Sequence, residues 1–218
     1  EDAYRGLYEF QVSYQSYIDM LDSVVSDPDW SGLGENITIV FRMKPYATNG
    51  SAAYWQSFRT VIELRGEGAS CHVPFAVGIE DGELQLGVSD NYITGSEAVQ
   101  SVTALSDDQW YSIGVTIDGD DWVIYFGGVE DASGTFTTAT GDRSTGAQAA
   151  NLQIGARSRD GGQKDTGYFG GHLDYVAVYP ATLTSNQISN IDGGVFPTNT
   201  PVLFMPFTNR DDILPDCT

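Results

Sequence analysis

NLQIGARSRDGGQKDTGYFGGHLDYVAVYPATLTSNQISNI, residues 151–191, carries four elements in a fixed order. Leu152, Ile154 and Ala156 alternate with Gln153, Gly155 and Arg157, the period-two pattern of a strand with one apolar face. A loop rich in Gly and Asp follows, from Ser158 to about Gly171, a composition that marks turns rather than regular structure. A second strand is predicted from about His172 to Tyr179. Pro180 stops it, since proline has no N–H to give a ladder. Thr184 and Gln187 stand three apart in a capping-box pattern, so a short helix is expected up to Gly193-Gly194.

Upstream, more strands declare themselves. Asn36 to Lys44 puts Ile37, Ile39, Phe41 and Met43 on one face and Thr38, Val40, Arg42 and Lys44 on the other. From Thr60 to Gly68, Ile62 and Leu64 face a core while Glu63, Arg65 and Glu67 face away. Phe75 to Val88 reads as a hairpin turning at Asp81-Gly82. A loop is expected after it, as far as Gln109. Tyr111, Ile113, Val115 and Ile117 then alternate up to Asp118, and Gly119 turns the chain into a strand over Trp122–Phe126. At the start, Tyr8, Phe10, Val12 and Tyr14 suggest a strand. Tyr17, Ile18, Leu21, Val24 and Val25 fit helical spacing, so a helical turn or irregular cover is expected there.

Several of these runs resemble the laminin G-like jelly rolls of the concanavalin A-like lectin/glucanase superfamily. The order strand, glycine loop, strand, capped helix in 151–191 is similar to the C-terminal signature of those domains. ITIVFRMKP resembles their early FTISFWVKP-like strand, and VGIEDGELQLGV their next hairpin. QWYSIGVTIDGDDWVIYFGG resembles W-x-x-V-x-V-x-x-D-G…L-Y-V-D-G, with Gly127-Gly128 where Asp-Gly is usual. The resemblance spans roughly 36–192 and implies an all-β, two-sheet antiparallel jelly-roll sandwich with one or two short helical turns. One domain over residues 1–218 is expected. Val202 to Phe207, within PVLFMPFTNRDD, reads as another strand and resembles the usual first strand of such a domain. Placed within the last segment, 195–218, it either closes this sandwich or pairs with a neighbouring copy. Pro206 confines it to an edge or a bulge.

Composition narrows function. Twenty-five glycines, 12 tyrosines and 10 phenylalanines suit an all-β chain with many turns. Thirty acidic against 10 basic residues give a net charge of −20. That balance argues against nucleic acid, whose phosphates need clustered Lys and Arg. No apolar run approaches the roughly 20 residues of a membrane helix, so membrane insertion is not expected. A starting Met and a signal-peptide pattern are both lacking, as in a processed chain or a cut-out domain. Sequons at Asn36-Ile-Thr38 and Asn49-Gly-Ser51 point to a secreted or cell-surface glycoprotein. In that setting Cys71 and Cys217 are expected to form a disulfide, stabilising by about 4–5 kcal/mol in the chain-entropy model.

Catalytic patterns are missing. Glycoside hydrolysis needs two carboxyl groups, roughly 5–5.5 Å apart in retaining enzymes. The superfamily's enzymes set them on one strand as Glu-x-Asp-x-Glu or Glu-x-Asp-x-x-Glu. The nearest approach is Glu63-Leu-Arg-Gly-Glu67, whose carboxylates stand about 13 Å apart on a strand. No Gln-x-His strand of the alginate-lyase kind occurs, and neither His72 nor His172 has a sequence-local partner. No catalytic residue is assigned.

Binding fits better. Jelly-roll lectins hold sugars on aromatic faces with a few polar side chains, often near calcium. The resemblance therefore implies a glycan or an extracellular protein as partner, with Tyr54, Trp55, Arg157, Arg159 and Tyr168 as candidate ligand-binding residues. Trp122 and Tyr125 are more simply core residues. Asp160, Asp165 and Asp174 around the glycine loop are candidate calcium ligands, since calcium takes hard oxygen donors. Self-association through the C-terminal strand is the alternative use of the fold.

Overall fold

The structure, a computed structural model, describes residues 8–10, 18–20, 33–46, 58–66, 73–89, 96–138, 150–159 and 163–207. Side chains are described for these except 8–10, 18–20, 66, 150, 151, 157–159 and 163–166. In chain order the strands begin with β1 (Tyr8–Phe10), β2 (Ile18–Met20), β3 (Asn36–Pro45), β4 (Arg59–Gly66) and β5 (Val73–Glu80). They continue with β6 (Glu83–Ser89), β7 (Ser96–Ala104), β8 (Tyr111–Asp118), β9 (Asp121–Phe126) and β10 (Val129–Thr135). The last are β11 (Ala150–Ile154), β12 (Arg157–Arg159), β13 (Gln163–Thr166), β14 (Gly171–Tyr179) and β15 (Leu203–Pro206). One helix, α1 (Ser185–Asp192), stands between β14 and β15.

Two antiparallel sheets face each other. The first runs β1-β14-β3-β8-β9-β10, with β15 also on β14; the second runs β2-β11-β4-β5-β6-β7. Apolar residues at alternate positions meet between them: Ile37, Ile39, Phe41 and Met43 of β3 lie against the inward faces of the second sheet, such as Ile62, Leu64, Phe75 and Leu86. This is the two-layer packing of a β-sandwich, as the alternation anticipated. Trp122 belongs to that core, packed on Phe136.

The outer face of the first sheet is half covered. Helix α1 lays Ile188 and Ile191 on Val40, Tyr175, Ala177 and Tyr179, which is why β3 and β14 are apolar on both faces. The capping box forms as the sequence specifies. Gln187 N–H donates to Thr184 Oγ1 at 3.3 Å, and Thr184 N–H donates to Gln187 Oε1 at 2.9 Å. Gly193 ends the helix. Buried Thr38 fixes the approach, donating to Ala181 O at 2.6 Å and accepting from Leu183 N–H at 2.9 Å.

Four segments differ from the sequence-based expectation. The run read as helical contains β2, paired with β11 from Leu152↔Met20 to Ile154↔Ile18; tertiary pairing overrides local spacing there. The expected loop after Ser89 contains β7, an edge strand whose largely exposed residues give no apolar alternation. Val129–Thr135 adds β10 beyond a turn at Gly127-Gly128. The glycine loop contains a small hairpin, β12–β13.

Within the described residues, β15 of the C-terminal run pairs with β14 of its own sandwich. β1 and β15 share one edge of β14, over Gly171–Leu173 and Tyr175–Val178 respectively. Pro206 faces Tyr175 where β14 bulges, and the next N–H, of Phe207, reaches Asp174 O at 2.9 Å. The missing donor therefore falls where the ladder is already irregular.

Candidate functional site at one rim of the sandwich

Backbone hydrogen bonds draw the ends of both sheets together at one rim. Tyr46 N–H donates to Gly170 O at 2.9 Å, Thr60 N–H to Gly167 O at 2.8 Å and Asp108 N–H to Pro45 O at 2.8 Å. Gly155 N–H reaches Val61 O at 2.9 Å, and Phe169 N–H reaches Gly155 O at 3.0 Å. The β12–β13 hairpin thus springs from two points tied to the start of β4. The end of β3, the start of β14 and the 107–110 segment complete the rim.

On the outer side of this rim, register assembles a stack of rings and cations. Arg42 and Lys44 project from the same face of β3, two residues apart, and His172 pairs with Lys44 on β14. Trp110 immediately precedes β8, whose Tyr111 pairs with Met43. The Arg42 guanidinium lies 4.8 Å from the Trp110 ring centroid. His172 stacks towards the same indole, with centroids 6.3 Å apart and planes at 25°. Tyr46 meets His172 edge-on at 4.9 Å and hydrogen-bonds its Nε2 through the phenol oxygen. Lys44 Nζ stands 5.5 Å from the Tyr46 centroid. All five side chains are half-buried.

Charge pairing divides the stack. Arg42 is held at 3.0 Å by Asp174, and Asp192 at the end of α1 lies 3.7 Å away. The Lys44 ammonium has a ring contact and, among the described residues, no carboxylate within ion-pair distance. Arg59, at the start of β4, has its pKa pushed down by burial, and the nearby Asp107 carboxylate works against that.

The candidates from sequence fall as follows. Tyr168 is at the rim but 8 % exposed, bridged to Thr60 and offering little ring to a ligand. Arg157 and Arg159 are on β12 and Asp165 on β13, at the same rim. Asp174 is buried and turned to Arg42. Tyr54, Trp55, Asp160, Cys71, Cys217 and Asn49 lie outside the described residues. Asn36 opens β3 and is exposed. Among the described residues no three His, Cys, Asp or Glu side chains come together as a metal-holding group. Sequence reasoning missed Trp110, Tyr46, Lys44 and His172 as a group. Only the outward alternation of Arg42 and Lys44 was a signal, and nothing local tied Trp110 to them.

Glu63 and Gln153 lie on neighbouring strands. They pair across β4 and β11, and Arg65 pairs with Asn151. The polar side chains are not displayed to solvent, however: Glu63, Arg65 and Gln153 are all buried, and Gln153 Oε1 has no hydrogen-bond partner among the described residues. A strand pattern marks which face a residue takes, not what covers that face.

A laminin G-type family model, described as the concanavalin A-like lectin/glucanases superfamily, matches residues 20–189. The chain belongs to that superfamily. Among curated proteins no relative matches. Solved structures share the fold at low identity. A putative carbohydrate binding protein from Bacteroides ovatus superposes with a TM-score of 0.60 at 15% identity, over 93% of this chain and 51% of that one. The CBM40 of the Ruminococcus gnavus IT-sialidase, bound to alpha2,3 sialyllactose, gives 0.58 at 15%, over 80% and 97%. The LG1-3 region of the laminin alpha2 chain gives 0.55 at 11%, over 85% and 33%. Within the superfamily this chain is thus a laminin G-like sandwich with a ring-and-cation stack at one rim. Among its described residues no helix is long and apolar enough to cross a membrane.

Proposed function

We propose that the protein is an extracellular, non-catalytic recognition module that binds glycan through the rim of β3, β14 and the β12–β13 hairpin. The observation that carries this reading is the half-buried stack of Trp110, His172 and Tyr46 interleaved with Arg42 and Lys44. Aromatic edges and faces beside polar donors are what a saccharide's C–H and O–H groups require. The fold is shared with a module solved bound to sialyllactose and with an arabinanase domain solved in complex with arabinotriose, which supports glycan over other small ligands. A non-catalytic role is supported by Glu63, the strand carboxylate nearest to an enzyme-like pattern, being buried. A calcium requirement would rest on Asp160 and Asp165, because Asp174 is engaged by Arg42.

A glycan array with and without EDTA tests the reading. Retention of at least one glycan class is expected, and its loss in EDTA would add calcium to the site. An array with no retained glycan in either condition contradicts the proposal. A second reading, an assembly subunit, is favoured by one feature. Phe196 and Phe204 meet at 5.0 Å beside the edge strand β15 and stay half-exposed, with Val195 next to them. Exposed apolar groups at a sheet edge invite association. A mass from light scattering that rises with concentration would favour that reading.

A further inference from the structure

β14 has a bulge where it passes Arg42. Its pairing with β3 runs from Leu173↔Met43 to Tyr175↔Arg42, so Asp174 and Tyr175 together oppose one residue. Leu173 and Val176 stay in the core between the sheets, while Tyr175 joins the cluster under α1. Two consecutive side chains therefore leave the core, and Asp174 turns to Arg42. A bulge re-aims a side chain in this way, and bulges gather beside functional sites.

Arg42 is where three elements meet. Its Nη1 donates to Asp174 Oδ2 of β14 at 3.0 Å. Its Nε stands 3.7 Å from Oδ1 of Asp192, the last residue of α1. Its guanidinium carbon lies 4.8 Å from the centroid of the Trp110 ring, just before β8. A guanidinium is planar with its donors in a fixed fork, so anchors at two nitrogens set its plane as well as its place. An indole packed on that plane takes its pose from it. The anchors are unequal. Asp174 is 6 % exposed and makes a charge-assisted hydrogen bond. Asp192 is 40 % exposed, yet its Oδ1 is buried and has no hydrogen-bond partner among the described residues. A shift of α1 by about 1 Å would complete that contact or break it.

We infer that Arg42 is a positioning residue of this rim, held by Asp174 and Asp192, so that the seat of α1 sets the pose of the Trp110 indole. Ile188 and Ile191 fix that seat on Val40, Tyr175, Ala177 and Tyr179, and Asp192 carries it to Arg42. The consequence for binding rests on the glycan reading above and adds a regulating element to it; the pose of the indole does not depend on that reading. An ion pair that served stability alone, half-exposed as the Asp192 contact is, would contribute little and would leave the indole where it is.

Two readouts on the full chain test this: the Trp110 indole N–H signal in nitrogen-15 spectra, assigned with Trp110→Phe, and retention of a saccharide found on the array. Asp192→Asn should shift the indole signal and weaken retention about threefold. Asp192→Glu, whose carboxylate reaches further, should restore both. Ile188→Ala, which loosens α1 one turn before Asp192, should shift the signal in its turn. Arg42→Lys keeps the charge and loses the fork, so it should shift the signal too. Asp120→Ala, on the far rim where Asn36 pairs with Asp118 and Asp118 with Asp121, should change nothing. An indole signal unmoved by Arg42→Lys, or by Asp192→Asn and Ile188→Ala together, would overturn the positioning inference whatever the array shows. A shifted signal with unaltered retention would uphold the positioning and count against the glycan reading at this rim, so the two fail separately.

Discussion

Tyr175 shows what single residues do where the sheet meets α1. It is 7 % exposed, and burial first, with the nearby Asp192 and Asp174 carboxylates adding to it, pushes its phenol pKa up to about 12. The ordinary value is about 10. A raised pKa means the folded protein holds the proton more tightly than the unfolded chain. The associated stability is complete below pH 10 and is lost as pH climbs towards 12, by about 2–3 kcal/mol at most. Tyr175→Phe should therefore move the alkaline unfolding midpoint upward and leave stability at neutral pH little changed. Circular dichroism against pH measures this; a variant with the parent's alkaline midpoint would contradict it. None of this was legible in the sequence, where Tyr175 is one more apolar-compatible residue in a strand. Arg42, Lys44 and His172 were equally hard to join, because 128 positions separate Lys44 from its register partner and only the folded ladder brings them side by side.

At the scale of elements, α1 depends on two glycines of the sheet below. A Cβ on Gly114 would stand 2.6 Å from Ile188 Cγ2. One on Gly128, whose φ is +81°, would stand 2.5 Å from Ser189 Cβ and 2.9 Å from Ser185 O. Gly128 also makes, with Gly127, the two-residue turn into β10, where both φ values are positive. The departure from Asp-Gly at this turn thus coincides with the seat of the helix. Gly114→Ala should lift α1 and destabilise by about 1–3 kcal/mol, the usual penalty of overpacking. Thr184→Ala, which removes the cap, should cost about 1 kcal/mol. Denaturant unfolding reads both, and a Gly114→Ala protein as stable as the parent would show that α1 is not seated as described. Elements with strong local signals were readable here: β3, the β5–β6 and β8–β9 hairpins, β14 and the capped helix. Those without them were not. β7 and β10 lie at sheet edges with mostly exposed residues. β2 and the β12–β13 hairpin are short and owe their state to partners.

For the whole molecule, the sandwich explains how so acidic a chain could present the proposed recognition surface. Both sheets bury their apolar faces against each other, α1 covers part of one outer face, and six of the seven cations on the described backbone lie at one rim. The acidic side chains on β7 and β10 have structural uses. Asp131 accepts from Val102 N–H at 2.7 Å and Thr103 N–H at 3.2 Å, while Glu97 accepts from Thr137 N–H at 2.8 Å and Thr138 N–H at 2.9 Å. These bonds close the side of the sandwich where the sheets' last strands approach each other. Fold class was legible because burial imposes period two on most strands. The proposed binding surface was not, because it is assembled from four segments and shares no motif.

In the proposed function this rim recognises glycan without changing it. Chemical-shift mapping of the isotopically labelled protein, titrated with the saccharide retained on the array, tests both halves at once. Shifts concentrated on the Trp110 indole, Tyr46, Lys44 and His172 are expected, with unchanged signals at Glu35 and Asp118–Asp121 and a saccharide whose own spectrum stays that of the intact oligomer. Shifts centred on the far rim, or the appearance of cleaved saccharide, would contradict it.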